Sequence, residues 1–433
     1  MKKTLIAAFI CSLSATPALA KTEIQFWHAM GGALGEKVED VVAGFNASQN
    51  DYQVNASYRG NYNDTMTAAI AAFRSNQQPA IVQVYEVGTA TMMAAEGAVY
   101  PTYQLMEEFS QGFDQSDYLS SVTGYYADSN GNMLSMPFNS STPVLYYNKG
   151  AFEKAGLPDR GPATWAEMEE FGQKLLDAGY ACGFTTAWQS WIHLENLSAR
   201  HNVPFASKEN GFGGTDTELQ FNGPVQVAHI EKMGEWQKAG IFSYSGRTNE
   251  GSAKFYSEEC GMYTESSAGY AGINANAQFE FGVSSLPYWD NAIETPQNTI
   301  IGGATLWTLR GHDDDAYRAV AAFYDYLSDP TVQADWHQFT GYLPITYSAI
   351  KLSEEQGFYE QNPGTDTSIK QMTSVEPTEN STGLRLGNFP QIRGIIDESL
   401  ESVWNGTASA QEALDRAVSR GNEQLRRFER ANR

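Results

Sequence analysis

The 433-residue chain is short of positive charge: 28 Lys and Arg stand against 51 Asp and Glu, a formal net charge of −23. This imbalance argues against nucleic acid and anionic membrane as partners, since both bind through clustered cations. It also makes any local grouping of arginines informative. Nowhere do apolar residues run for the roughly 20 positions that a spanning helix needs. Cysteine is scarce, limited to Cys11, Cys182 and Cys260. The histidines, His28, His193, His201, His229, His312 and His337, form no H-E-x-x-H and no paired Cys/His spacing, so no zinc site is expected. No G-x-x-x-x-G-K-[ST] loop is present to hydrolyse ATP, and no G-x-S-x-G marks a serine hydrolase. Asp128-Ser129-Asn130-Gly131-Asn132 begins like a calcium loop, but Asn139 stands where the twelfth-position acid belongs, and a hairpin turn is the better reading. Neither catalytic residues, nor a cofactor, nor a metal site is expected. Internal repeats and low-complexity segments are missing as well.

The first twenty residues stand apart from the rest. Lys2 and Lys3 precede an apolar run from Leu5 to Leu13 and then Ala18-Leu19-Ala20, the pattern of a secretory leader cleaved after Ala20. Its removal leaves 26 basic against 51 acidic residues, net −25, in an exported chain. Cys182 and Cys260 then form an even pair in an oxidising compartment. Sequence leaves their bonding open, because a disulfide requires Cα atoms within roughly 7 Å.

The remaining length exceeds what one hydrophobic core usually supports, and two domains are expected. Glu23 to His28 reads as a strand, and Leu34, Val38, Val41, Val42 and Phe45 follow at helical spacing. Tyr52, Val54, Ala56 and Tyr58 alternate as a second strand. Met66, Ile70 and Phe73 mark a helix, and Ala80 to Val84 a third strand leading into a helix near residues 88–95. Repeated βα units predict a mostly parallel sheet covered by helices, with ligand beyond the carboxyl ends of the strands, where Tyr62 and Glu86 lie. A second block begins after Pro143-Val144-Leu145-Tyr146-Tyr147. Thr164 with Glu167, and Ser409 with Glu412, have capping-box spacing, and Asp329-Pro330 opens a helix that Gly341 can close.

Two hydroxyl-rich turns, Asn139-Ser140-Ser141-Thr142 and Thr264-Glu265-Ser266-Ser267, present donors beside apolar strands, a composition suited to an anion. Trp188 and Trp191 flank Gln189-Ser190, and Tyr342 sits in Gly341-Tyr342-Leu343-Pro344. Aromatic faces of this kind stack on polyols and attract quaternary ammonium groups. A position after the strand Cys182 to Thr185 favours the cleft for one of the two tryptophans.

The stretches NSSTPVLYYNK (139–149), FEKAGLPDRGPATWAEM (152–168), DPTVQADWHQFTGYLPIT (329–346) and IIGGATLW (300–307) resemble the extracellular solute-binding proteins of ABC importers. FWHAMGG, SYRGNY, VYEVGTATMMA, AWQSWIHLEN, PFASKENGF and GLRLGNFPQIR are more closely similar to members of that family that bind glycerol phosphate esters. The resemblance implies an α/β fold of two lobes in the type II periplasmic-binding arrangement, each a mostly parallel sheet flanked by helices. Residues 21–138 with 304–343 would form the N-terminal lobe, and 139–303 with 344–433 the C-terminal one. It further implies a periplasmic monomer that is not an enzyme and that works with ABC permease subunits and their cytoplasmic ATPase. The ligand is sn-glycerol 3-phosphate or a glycerophosphodiester such as glycerophosphocholine. Its site, carried over motif by motif, comprises Tyr62, Glu86, Ser141, Trp188, Ser266, Gly303, Tyr342 and Arg393.

An Arg fork matches phosphate oxygens bidentately, so Arg393 is expected to clamp the phosphate. Glu86 would repel it there and is expected at the far end, with Tyr62, on the glycerol hydroxyls. Arg385, eight positions before Arg393, is expected to pair with one of the many acids. Two other readings stand beside this one: a binding protein for a neutral di- or oligosaccharide, which would not need the Arg393 charge, and an exported glycoside hydrolase working through paired carboxylates.

Overall fold

A computed structural model describes residues 20–432, apart from 96 and 111. The expected leader therefore lies outside the described residues, except for Ala20. Among the described residues the strands are β1 (Thr22–His28), β2 (Tyr52–Tyr58), β3 (Ile81–Tyr85), β4 (Val99–Tyr100), β5 (Met136–Ser141), β6 (Pro143–Asn148), β7 (Cys182–Thr186), β8 (Cys260–Ser266), β9 (Phe281–Ser285) and β10 (Gly302–Leu309). They build two sheets, one in the order β2-β1-β3-β10-β4 with β5 also on β10, the other in the order β7-β8-β6-β9.

The opening βαβαβ run folds as its periodicity predicts. Ile24, Phe26 and His28 point inward from β1. Helix α1 (Gly32–Ser48) lays Val38, Val41, Val42 and Phe45 into the same core. Each such side chain, removed from water, contributes roughly 1.5–3 kcal/mol before entropy is counted. Helix α2 (Tyr62–Arg74) starts at a reciprocal capping box between Asn61 and Asp64. Asp128 organises a turn by accepting from the Asn130 and Asn132 amides, as the hairpin reading predicts. Thr164 caps α3 (Trp165–Asp177), and α4 (Gly269–Asn276) follows the second serine pair. Helix α5 (Asp314–Leu327) covers the first sheet. Helix α6 (Pro330–Thr340) begins at Asp329-Pro330 and ends at Gly341, whose φ of +80° closes it in the left-handed conformation. Helices α7 (Phe389–Trp404) and α8 (Ala410–Ala431) pack on each other, α8 opening with the Ser409–Glu412 box.

The architecture is two-sheet α/β, but the sheets are mixed rather than mostly parallel. β1 pairs parallel with β2 and β3, as the βα alternation requires, whereas β10 enters antiparallel to β3, β4 and β5. In the second sheet β7 and β8 are parallel and β6 runs antiparallel to β8 and β9. The cause is connectivity. β5 leads directly into β6, and β10 returns from the second sheet to the first, so the crossing strands arrive against the βα direction.

Cys182 and Cys260 are register partners on β7 and β8 and are joined by a disulfide, with Cα atoms 4.6 Å apart. No described helix is long and apolar enough to cross a membrane.

Candidate functional site

One cavity of about 510 Å³ opens where the two sheets meet, and all eight residues singled out in the sequence line it. Glu86 follows directly from the carboxyl end of β3, and Tyr62 opens α2. Ser141 ends β5 opposite Gly302 of β10, and Gly303 follows on that strand. Gly303 has φ +99°, and an added Cβ would collide with the Asn139 carbonyl oxygen, so the close approach of β5 and β10 requires glycine here. From the second sheet come Ser266, the last residue of β8, and Trp188, just beyond β7. Tyr342 follows the end of α6, its ring stacked on Trp336. Arg393 projects from α7.

Trp188 sits at φ +43°, the left-handed region that a bulky side chain rarely adopts. It is held there by its amide, which donates to the Thr248 carbonyl at 2.8 Å, and its indole lies near the carboxylate of Glu265. Glu265 is buried at the cavity wall, and burial raises its pKa to about 7. Its two oxygens accept from Tyr263 Oη at 2.5 Å and the Ser266 amide at 2.6 Å. Trp191 lines the cavity too, against Gly302.

Arg393 and Glu86 do not lie at opposite ends. Arg393 Nη2 donates to Glu86 Oε1 at 2.7 Å, and the fork expected to hold phosphate is closed on Glu195, with Nε to Oε1 at 2.9 Å and Nη2 to Oε2 at 2.8 Å. The three side chains are almost dry, at 14% exposure for Arg393, 7% for Glu86 and 2% for Glu195. Burial pulls the guanidinium pKa down, but Glu195 and Glu86 outweigh it and hold the value well above the usual one. Burial likewise pushes Glu195 up against the pull of Arg393. Nε and Nη2 of Arg393 are taken by these two acids, so the cluster offers phosphate no free fork, while carboxylate oxygens can accept hydroxyl protons.

Neutral donors also line the cavity. Tyr62 Oη accepts from Asn139 Nδ2 at 2.9 Å, and its ring stacks on Tyr85 at 5.2 Å. Ser266 Oγ accepts from the Ala268 amide at 3.1 Å at the start of α4, which leaves its own proton free to be donated.

Arg385 does not line this cavity and forms no salt bridge with an acid among the described residues. Its Nη2 donates to the carbonyls of Gly124, Tyr125 and Ala127, and its guanidinium lies 4.3 Å from the Phe212 ring centre. Glu195 was not foreseen. It belongs to a π-helical turn, Trp191–Asn196, and its only signal in the sequence is a lone acid in a largely apolar stretch.

The profile of bacterial extracellular solute-binding proteins matches residues 40–366. The chain belongs to that family. The sn-glycerol-3-phosphate-binding periplasmic protein UgpB of Escherichia coli (strain K12) is 52% identical over 96% of this chain and 95% of its own. Its counterpart of that name from Yersinia enterocolitica is 50% identical over 100% of this chain and 99% of its own. Among solved structures, UgpB from Mycobacterium tuberculosis in complex with glycerophosphocholine superposes with a TM-score of 0.80 at 24% identity, covering 94% of this chain and 99% of that one. A cyclic alpha-maltosyl-1,6-maltose binding protein from Arthrobacter globiformis gives 0.72 at 23%, with the same coverage. At these identities the structural likenesses speak for the fold of a solute-binding protein, common to carriers of quite different ligands.

Proposed function

We propose that this solute-binding protein is the periplasmic component of an ABC importer that binds sn-glycerol 3-phosphate and glycerophosphodiesters, and hands them to a membrane permease driven by a cytoplasmic ATPase. The observation that carries the ligand class is that one cavity holds both the hydroxyl donors of Tyr62, Ser141, Ser266 and Tyr342 and the acceptor carboxylate of Glu86, whose Arg393 partner is also bound to Glu195. A phosphate ester of glycerol has the matching halves, an acceptor-only anion at one end and hydroxyl protons at the other. The full-length relatives named for sn-glycerol 3-phosphate support the same choice.

In this reading Tyr62, Ser141, Ser266, Tyr342 and the backbone at Gly303 surround the phosphate, aided by the positive end of α4. Glu86 accepts from the glycerol hydroxyls, and Arg393 holds Glu86 in place instead of clamping the anion. Trp188 covers the phosphate from the second sheet and supplies a π face for the ammonium group of a choline substituent. The lobes are residues 21–138 with 304–343 and residues 139–303 with 344–433, closing on the ligand as a monomer. Micromolar affinity corresponds to about −8 kcal/mol, which several hydrogen bonds can supply when closure excludes water. Saturable calorimetric binding of sn-glycerol 3-phosphate and glycerophosphocholine, with none of maltose and no hydrolysis of either ester, is the expected result. Binding of maltose alone would make the chain a sugar carrier and overturn the reading.

A further inference from the structure

A line of buried amides runs behind the donor wall, and its polarity is fixed at one end. The Ala29 backbone N–H, which can only donate, reaches Gln83 Oε1 at 2.8 Å. Gln83 must therefore present Nε2 on its other side, where it donates to Asn139 Oδ1 at 2.8 Å and to Met30 Sδ at 2.9 Å. Asn139 is turned in consequence, so that Nδ2 donates to Tyr62 Oη at 2.9 Å and also contacts the Tyr342 hydroxyl. Gln83 and Asn139 are fully buried, and neither lines the cavity. Each phenol oxygen thus has acceptor capacity taken up by an N–H, which biases the pair toward offering its own protons. Tyr62 can pass one to Tyr342, so at least one O–H is directed at the cavity.

We propose that Gln83 and Asn139 are positioning residues whose relay, anchored on the Ala29 amide, sets the Tyr62 and Tyr342 hydroxyls as donors and so selects a ligand group that only accepts. The inference rests on the phosphate reading above. A sugar hydroxyl, which donates as readily as it accepts, gains nothing from such an arrangement, whereas a phosphate oxygen without a proton depends on it. Burial raises the Tyr62 pKa well above its usual value and that of Tyr342 to about 12, so both phenols keep their protons at any pH the protein meets.

The test is Gln83→Glu, which changes the relay from a distance. An ionised carboxylate there can only accept, from Ala29 and from Asn139, and Asn139 must then turn its oxygen to Tyr62 and consume the phenol proton. A protonated carboxyl can donate to Asn139 and restores the original polarity. Glycerophosphocholine is the probe, because its phosphodiester keeps one charge throughout. His28, the titratable group nearest on β1, has its pKa lowered to about 4 by burial, and Glu86 is tied to Arg393, while Glu265, which acts on Tyr342 from β8 and is raised to about 7 by burial, titrates within this range in both proteins. Taking the ratio of variant to unsubstituted Kd removes what other groups contribute. That ratio is expected near one at pH 5 and about ten or more at pH 8, the loss of one hydrogen bond to a charged group. A folded variant whose ratio is flat while its stability shows the introduced carboxyl ionising between pH 5 and 8 overturns the proposal. Where that carboxyl stays protonated, or should Gln83→Glu not fold, Tyr62→Phe and Tyr342→Phe carry the test: each is expected to weaken binding about ten-fold, and unchanged binding in both overturns it. If the unsubstituted protein binds neither phosphate ester, the underlying reading fails and this inference falls with it.

Discussion

Arg393→Ala separates an anion clamp from a structural keystone. In the native cavity one guanidinium bridges two carboxylates from distant parts of the chain, Glu86 after β3 and Glu195 in the π-helical turn. Removing it leaves both acids nearly dry and facing one another. Breaking a buried ion pair from one side costs about 3–5 kcal/mol. That is a large share of the roughly 5–15 kcal/mol by which proteins are stable. Tm is expected to fall by roughly 6–20 °C if the affected lobe unfolds as a unit. The loss has a definite pH dependence. Burial already raises Glu195, and without the opposing pull of Arg393 it rises further, so the folded variant binds a proton at a pH where the unfolded chain does not. Its stability is then recovered as pH falls through the raised value, by up to about 1.4 kcal/mol per pH unit. Thermal melts of variant and unsubstituted protein at pH 5, 6.5 and 8, read as the difference between them, check this alongside ester titrations at each pH. A variant with unchanged Tm at every pH that loses only phosphate-ester affinity would refute the argument and return Arg393 to the role of a free anion clamp.

Loss of the Cys182–Cys260 bond opens a sequence separation of 78 residues. It is expected to cost roughly 2–5 kcal/mol, read as the denaturation midpoint with and without reductant. Burial lowers the pKa of His28, His201 and His337 to about 4 and of His193 to about 3. Their stabilising contribution is therefore complete above pH 6.5 and is lost as pH falls from there toward 4. Glu265 and Asp397, raised to about 7 by burial, act in the opposite sense between pH 7 and about 4.5. The histidines outnumber them, so denaturant midpoints are expected to decline below pH 6, and a rise would contradict the assignment. Gly303→Ala strains a φ of +99° and drives a methyl into the Asn139 carbonyl. It is expected to destabilise by more than 1 kcal/mol and to weaken ester binding, both measurable on one purified variant.

What could be read from the sequence was whatever is local. Helix α1 and strand β2 follow from spacing alone, Thr164, Asp329 and Ser409 announce helix starts through side chains within four positions of the amides they cap, and Gly341 announces a stop. The eight cavity residues were named because each lies in a short contiguous motif. Pairings across the chain left no such trace. Arg393 reaches Glu195 over 198 positions and Glu86 over 307, and no pattern near Arg393 says that its fork is already taken. The same holds for Arg385, whose carbonyl partners lie about 260 positions away. The antiparallel entry of β10 is likewise invisible, because a strand's residues encode burial but not direction.

The occupied fork changes how selectivity for a phosphate ester can arise in so acidic a protein. A bare arginine would attract any anion, and its strength would be set by charge and screened by salt. Neutral phenols, hydroxyls and backbone amides hold an anion through geometry, so they discriminate by where the acceptor oxygens fall and release it when the walls separate. The donors are divided, with Tyr62, Ser141 and Gly303 on elements of the first sheet and Ser266 and Trp188 on those of the second. On the proposed reading neither wall would complete the phosphate shell alone, and the only cationic side chain lining the cavity among the described residues, Arg393, is already bound to two carboxylates. If the proposed lobes close on the ligand, affinity would then be gained only in the closed arrangement, and occupancy of the site would be coupled to the shape that a permease would meet.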